Sequence, residues 1–351
     1  MQEFKLKYRI NSIKMKGSDQ LIVKPIEYPY RALQLEALLS RIRAHHPNIS
    51  LINQDYQRKL AGYRGEKAVD FPLSFLPDED YFILHDLRLW DGKHFFQIDV
   101  LILHAKYALI LEVKNIVGEL YFDIDLHQMT RIKGEEKEAF PDPIIQVNRL
   151  KRQLEGWLLA NQFPAIPIYS LVVFSNSKSI LRLSPPQIQT FKNIIIHKEY
   201  LPELIPKLTS SFKASFLPAG ERKKLIKCLK KKNTPLDTDI LQKYQVNKAD
   251  IINGVKCECC NQFLMKKHMQ HWYCLGRKHK TNQVMIQTLK DYYFLFGEQI
   301  TNSQLREFLQ IDSIYTASRI LAKLNLKVTG AGKMTVHHLP LKLFKSELGG
   351  K

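Results

Sequence analysis

Three charged side chains interrupt a stretch that otherwise reads as core. Residues 97–115 are QIDVLILHAKYALILEVKN, and Asp99, Glu112 and Lys114 lie beside its two apolar runs. Alternate side chains of a strand share a face, so Glu112 and Lys114 point one way and Val113 the other. Neighbouring carboxylates repel and are costly to bury unless neutralised. A divalent cation neutralises them, and Mg²⁺ prefers one or two carboxylates together with waters and phosphate oxygens. A lysine there can orient or deprotonate a water, or stabilise developing phosphoryl charge. The competing explanation is a structural Asp–Lys or Glu–Lys pair at strand ends, which the D-x12-E-x-K spacing alone favours. Glu66, near an expected helix start in GYRGEKAV, and Gln146, in an expected helix after the strands, extend the polar set.

A second constellation lies in VKCECCNQFLMKKHMQHWYCLGRKHK, residues 255–280. Cys257 and Cys260 form a CxxC knuckle, Cys274 follows after thirteen residues and His279 after four more. This spacing fits a small structural Zn²⁺ site of thiolates and imidazole. His271, His268 and Cys259 compete with His279 for the fourth position. The segment is too short to fold on apolar burial alone, so the metal would supply stability.

Around these residues the chain alternates helix-like and strand-like segments. Residues 27–60 predict helix ending at Pro47, and 62–76 a second helix with Pro72 as a kink. YFILHDLRL, FFQIDVLIL and YALILEVKN predict strands, the last two as an antiparallel hairpin across the short HAKY connection. Residues 142–160 predict a helix, PIYSLVVFSN and NIIIHK strands, and YLPELIPKL a helix. The fold class is mixed α/β, with a sheet flanked by helices.

The chain carries 53 Lys and Arg against 34 Asp and Glu, a net charge of +19 over 351 residues. Such a balance points to a polyanionic partner, chiefly nucleic acid. Residues 221–290 hold 16 Lys and Arg against 5 Asp and Glu. Their densest run, ERKKLIKCLKKKNTP, reads as a solvated linker helix or a DNA contact. No apolar run approaches the ~20 residues of a membrane span. The first residues lack the apolar core of a secretion signal. A cytoplasmic protein is expected, whose five cysteines favour metal over disulfides.

Near the end, Thr301 and Gln304 make a capping box. Leu305, Phe308 and Leu309 form one apolar face, and Ile314, Ala317, Ile320 and Leu321 another. LKVTGAGKMTVHHLP predicts strand–turn–strand. Two short helices and a hairpin resemble a winged helix-turn-helix. Its second helix offers Tyr315, Thr316, Arg319 and Lys323 to DNA, with Lys333 flanking the wing. The plainer alternative is a helical hairpin used for packing.

The blocks GYRGEKAVDFPLSFLP, YFILHDLRLWDGKHFFQIDVLIL, LILEVKNIVGELYFD and DPIIQVNRLKRQLEGWL, completed by LVVFSN and IIIHKEYLPELI, resemble the nuclease-related domain (NERD) family. That family resembles the PD-(D/E)xK endonuclease-like fold. The resemblance implies Glu66 as a helix carboxylate, Asp99 and Glu112 as metal ligands, Lys114 as catalytic lysine and Gln146 as accessory polar residue. Mg²⁺ or Mn²⁺ would be the catalytic ion, with the Val113 carbonyl a further ligand.

The expected organisation is an N-terminal extension and helical lead-in (1–60), a nuclease-like domain (61–215), a basic linker (216–255), a zinc module (256–282) and a winged-helix-like domain (283–351). The expected function is metal-dependent hydrolysis of DNA phosphodiesters, with zinc module and winged helix tethering DNA. The rivals are a catalytically inactive or regulatory DNA-binding protein and, third, an enzyme acting on RNA. Protein partners and oligomeric state are not legible.

Overall fold

The computed structural model describes residues 21–347, apart from positions 237, 270 and 283. Residues 1–20, the first part of the expected N-terminal extension, lie outside the described residues. The chain forms two compact units, one of residues up to 26 with 68–233, the other of 27–67 with 234 onward.

In chain order, β1 (Ile22–Lys24) precedes α1 (Tyr30–Arg41), α2 (Ile49–Lys67) and the short α3 (Asp70–Leu73). Then come β2 (Phe82–Trp90), β3 (Phe95–Leu103), β4 (Ala108–Lys114), β5 (Gly118–Asp123), β6 (Gln128–Lys133) and β7 (Glu136–Pro141). Next are α4 (Pro143–Ala160), β8 (Ile168–Phe174), β9 (Ser179–Arg182), α5 (Pro185–Phe191), β10 (Ile195–His197), α6 (Leu201–Ser210) and α7 (Ala219–Lys232). The remainder is α8 (Ile240–Lys243), β11 (Met265–His268), β12 (His271–Cys274), β13 (Lys280–Thr281), α9 (Val284–Phe296), β14 (Gln299–Ile300), α10 (Asn302–Leu309), α11 (Ile314–Lys323), β15 (Lys327–Thr329) and β16 (Val336–His338).

The first unit is built on a six-stranded mixed sheet of order β1-β2-β3-β4-β8-β10. β2, β3 and β4 are antiparallel, as the short HAKY connection requires, while β8 joins β4 in parallel. β3 and β4 carry near-continuous apolar runs because both faces of the sheet are covered. Leu150, Leu154 and Trp157 of α4 and Leu225 and Leu229 of α7 cover one face. Leu73 of α3 and Leu201, Leu204 and Ile205 of α6 cover the other. Asp142 caps α4 by accepting from the Ile144 N–H at 2.7 Å, and Pro143 occupies the first turn, where its missing N–H costs nothing. A smaller sheet, β7-β6-β5-β9, packs Leu120, Phe122 and Met129 beneath Ile144 and Val147 of α4.

The basic run read as a linker helix is α7, a helix as expected, and it packs on the sheet. Leu225 and Leu229, four residues apart, turn inward and the lysines stay outside. One expectation about helices is corrected: the helix expected to begin at residue 62 instead spans Ile49–Lys67, so Glu66 lies in its last turn and not near its start. No Pro or cap residue stands at 62 to begin a helix there.

The second unit packs α1 and α2 with α8–α11 and two three-stranded sheets, β11-β12-β13 and β14-β16-β15. Arg41 lies at its centre, fully buried. Its Nε donates to Asp291 Oδ2 at 2.7 Å and its Nη1 donates to the carbonyls of Ile252 and Gly254. The guanidinium is flanked by the rings of Phe263 and Phe308, 5.1 and 4.3 Å from their centroids. One arginine thus ties α1 to α9, to α10 and to the loop that carries Cys257.

Candidate functional site

The geometry of the Asp99 region begins with an interruption in the β2–β3 ladder. The register steps from His85↔Val100 to Leu87↔Ile98, passing over Asp86 and Asp99. Asp86 has φ 47°, in the left-handed region that Asp tolerates better than most residues. Across this step the alternation slips by one. Phe96 and Ile98 face the α4 side, as do Leu101 and Leu103, but Val100 faces the α3 side.

The β3–β4 ladder also stops here, at Val100↔Leu111, while β4 keeps pairing with β8 as far as Lys114↔Phe174. The end of β4 therefore presents backbone toward β3, and Asp99 Oδ2 accepts the Val113 N–H at 2.9 Å. The N–H and C=O of one strand residue leave the backbone toward the same neighbour, so the Val113 carbonyl faces the Asp99 side as well.

Glu112 and Lys114 share the opposite course, toward α4. Lys114 Nζ donates to Glu112 Oε1 at 2.8 Å and to Gln146 Oε1 at 2.9 Å. Gln146 Nε2 donates to the same Glu112 oxygen at 2.6 Å. The Glu112 side chain is 5% exposed and that of Lys114 22%, so the pair is shielded but reachable by water. Both hydrogen bonds to Glu112 fall on Oε1, which leaves Oε2 as a potential ligand for a cation. Carboxylate and carbonyl oxygens are the ligand type that hard divalent cations prefer, whereas the Lys114 ammonium can only donate.

Glu112, Lys114 and Gln146 are thus brought together, and Asp99 reaches them through the Val113 amide. Glu66 is carried by the other unit, at the end of α2. Sequence reasoning missed Asp86, whose backbone creates the slip. It also missed Ser175 and Asn176. Ser175 N–H donates to the Lys114 carbonyl at 3.0 Å, and Asn176 Nδ2 donates to Asn115 Oδ1 at 3.0 Å. The signal was present, since LEVKN and LVVFSN end in matching polar pairs on neighbouring parallel strands.

Among the described residues, one group of three or more His, Cys, Asp or Glu could hold a metal ion: Cys257, Cys260 and Cys274, with thiol sulfurs within 4.8 Å of one another. Cys260 Sγ and Cys274 Sγ are 3.7 Å apart. Tetrahedral Zn²⁺ with Zn–S of ~2.3 Å requires S···S near ~3.8 Å. Burial pushes the Cys257 thiol up, but the amides of Cys260 and Cys259 and the thiols of Cys274 and Cys260 outweigh it and lower it to about 7. The Arg277 N–H donates to Cys274 Sγ at 3.4 Å. Amides aimed at sulfur favour thiolate, the ligand form. His279 does not join the group, because its Nε2 lies 3.1 Å from Glu258 Oε1.

On α11, Ala317, Ile320 and Leu321 are buried while Tyr315, Arg319 and Lys323 are exposed and Thr316 is half-buried. The side chain of Lys333 lies outside what the structure describes. The Ser313 hydroxyl caps the helix by accepting from the Thr316 N–H, and Asn302 Nδ2 of α10 donates to the Ser318 hydroxyl at 2.9 Å. Burial and the like charge of Lys323 lower the Lys267 ammonium on the Cys-rich hairpin.

Residues 61–175 match the nuclease-related domain family. An uncharacterized protein of Bacillus anthracis is 28% identical over 127 residues, 36% of this chain and 58% of that relative. The chain thus spans under two thirds of the relative it matches. No solved structure matches it significantly. Among the described residues, no helix is long and apolar enough to cross a membrane.

Proposed function

We propose that the protein is a metal-dependent nuclease that hydrolyses DNA phosphodiesters. The observation that carries this reading is the end of β4, where Lys114, Glu112 and Gln146 interlock beside a Val113 amide held by Asp99. Asp99, Glu112 and the Val113 carbonyl would hold Mg²⁺ or Mn²⁺, which would supply charge neutralisation and Lewis acidity toward a phosphate oxygen. Lys114 orients the attacking water and offsets charge developing on the phosphoryl group. Gln146 holds the Lys114 ammonium and the Glu112 carboxylate in register. The family resemblance alone, and not this geometry, assigns Glu66 as the helix carboxylate.

In this reading Cys257, Cys260 and Cys274 would bind structural Zn²⁺, with His279 as fourth ligand in place of its contact with Glu258. The C-terminal helices and hairpin act as a winged helix, through Tyr315, Thr316, Arg319, Lys323 and Lys333. Domain limits of 61–215 for the nuclease, 256–282 for the zinc module and 283–351 for the winged helix, and a cytoplasmic setting, belong to the same proposal. Tethering through phosphates should weaken steeply with salt.

The test is cleavage of plasmid and single-stranded DNA with Mg²⁺ or Mn²⁺, comparing the unaltered protein with Lys114→Ala and Asp99→Ala. Metal-dependent cutting lost in both variants is expected. A catalytically inactive DNA-binding protein has one observation in its favour: Glu112, Lys114 and Gln146 hydrogen-bond one another as a structural ion pair would. Binding without cutting, lost only on truncation after about residue 216, would establish that rival.

A further inference from the structure

We infer that the outer end of the β2–β3 hairpin is a stacking platform for an unpaired base of single-stranded nucleic acid. This deepens the nuclease reading, rests on it, and names its substrate class. Beyond Asp86 and Asp99 the hairpin has one covered face, with Leu87, Leu89, Phe96 and Ile98 in the core. Its other face presents Arg88, Trp90, Phe95 and Gln97, cross-strand neighbours in the register Arg88↔Gln97 and Trp90↔Phe95. Trp90 is 49% exposed and Phe95 43%, with centroids 4.9 Å apart. The Arg88 guanidinium lies over the Phe95 ring, 3.7 Å from its centroid.

Scattered exposed aromatics need no explanation. Two adjoining rings inclined 59° to each other, with an arginine over Phe95, form a stepped π-surface beside a positive charge. Every base has a π-face, so such a surface binds single strands with little sequence preference, and arginine adds cation–π contact. Lys93 and His94 add exposed basic groups at the turn. The nearby carboxylates are engaged. Asp91 accepts from the His94 N–H, from Gln153 Nε2 and from the Lys93 N–H, which together lower it to about 2. Asp86 accepts from Gln97 Nε2 at 2.7 Å.

β3 leads from this platform to Asp99. Phe95 and Asp99 are four residues apart, ~13 Å along an extended strand, a span of a few nucleotides. A base stacked on Trp90 would thus lie on the face of the hairpin away from α4, with its strand passing Asp99 at the edge between the two faces. A stacked duplex keeps its base faces covered and cannot use the platform.

The chain has three tryptophans, and Trp157 and Trp272 are buried. Trp90 is thus a built-in fluorescent probe. The experiment titrates the full chain, without added divalent metal, with an oligothymidylate and with a duplex of equal length. Tryptophan emission and the anisotropy of a labelled oligonucleotide are followed in parallel. The single strand should quench emission and the duplex should not. Trp90→Ala should abolish the quenching and weaken single-strand binding about 5- to 150-fold, leaving duplex binding unchanged. Trp90→Phe should keep most of the affinity, which separates stacking from hairpin stability. Thermal unfolding checks that the variants are folded. The inference is overturned if the single strand fails to bind, binds without quenching, or binds Trp90→Ala as tightly as the unaltered chain. Failure of the nuclease reading would show separately, as absent Mg²⁺-dependent cutting with quenching intact.

Discussion

Replacing Lys114 by Met removes a cation from a carboxylate that has little water to replace it. Glu112 would keep one neutral donor, Gln146 Nε2, on an oxygen that now also accepts from the ammonium at 2.8 Å. Breaking a fully buried ion pair from one side costs about 3–5 kcal/mol. The Lys114 side chain is 22% exposed, so solvent takes over part of its role and the cost should fall to about 1.5–3 kcal/mol. The two units need not unfold together, so one global midpoint is a poor measure. Hydrogen exchange of the β3 and β4 amides at neutral pH is local and should accelerate roughly 10- to 150-fold. Glu112→Gln combined with Lys114→Met removes both charges and should recover at least about 1 kcal/mol of that loss. Exchange within twofold of the unaltered chain in Lys114→Met would refute the account, since the pair would then not carry the charge balance of this sheet.

Two further outcomes concern the second unit. The purified protein should contain one zinc per chain, with sulfur at ~2.3 Å by X-ray absorption. Chelation, or Cys274→Ser, should lower the unfolding temperature reported by Trp272, and a metal-free chain indifferent to chelators would exclude the site. Arg41→Met should cost about 3–5 kcal/mol by leaving Asp291 buried without its partner. Arg41→Met with Asp291→Leu should be less damaging than the single change in chemical denaturation; equal damage would mean that the stacking on Phe263 and Phe308, not the charge, dominates.

Legibility in the sequence followed the range of the physics involved. The mixed sheet was readable because periodicity and a four-residue connection are local, and HAKY admits little but a hairpin between β3 and β4. The CxxC knuckle was readable for the same reason, with Cys274 brought to it by one hairpin. His279 was less readable, because a histidine at ligand spacing still chooses among partners, and Glu258 competes for its ring. The lysine-rich 221–232 segment misled because charge density hides a two-leucine seam, and two leucines suffice when a sheet lies beneath. Asp86 was invisible as a site-shaping residue. Its consequence is a slip in alternation, and nothing in the side-chain pattern marks a positive φ in mid-strand. That slip supplies the answer to why Asp99 interrupts an apolar run. With unbroken alternation, Asp99 would follow Leu101 and Leu103 into the face covered by α4 and α7, where an unneutralised carboxylate is costly. The left-handed turn at Asp86 changes which neighbours face inward and gives the carboxylate the Val113 amide instead. The same step divides the hairpin into a core-forming half and an outer half whose aromatic face is left to solvent. Site and platform are therefore two consequences of one local backbone choice.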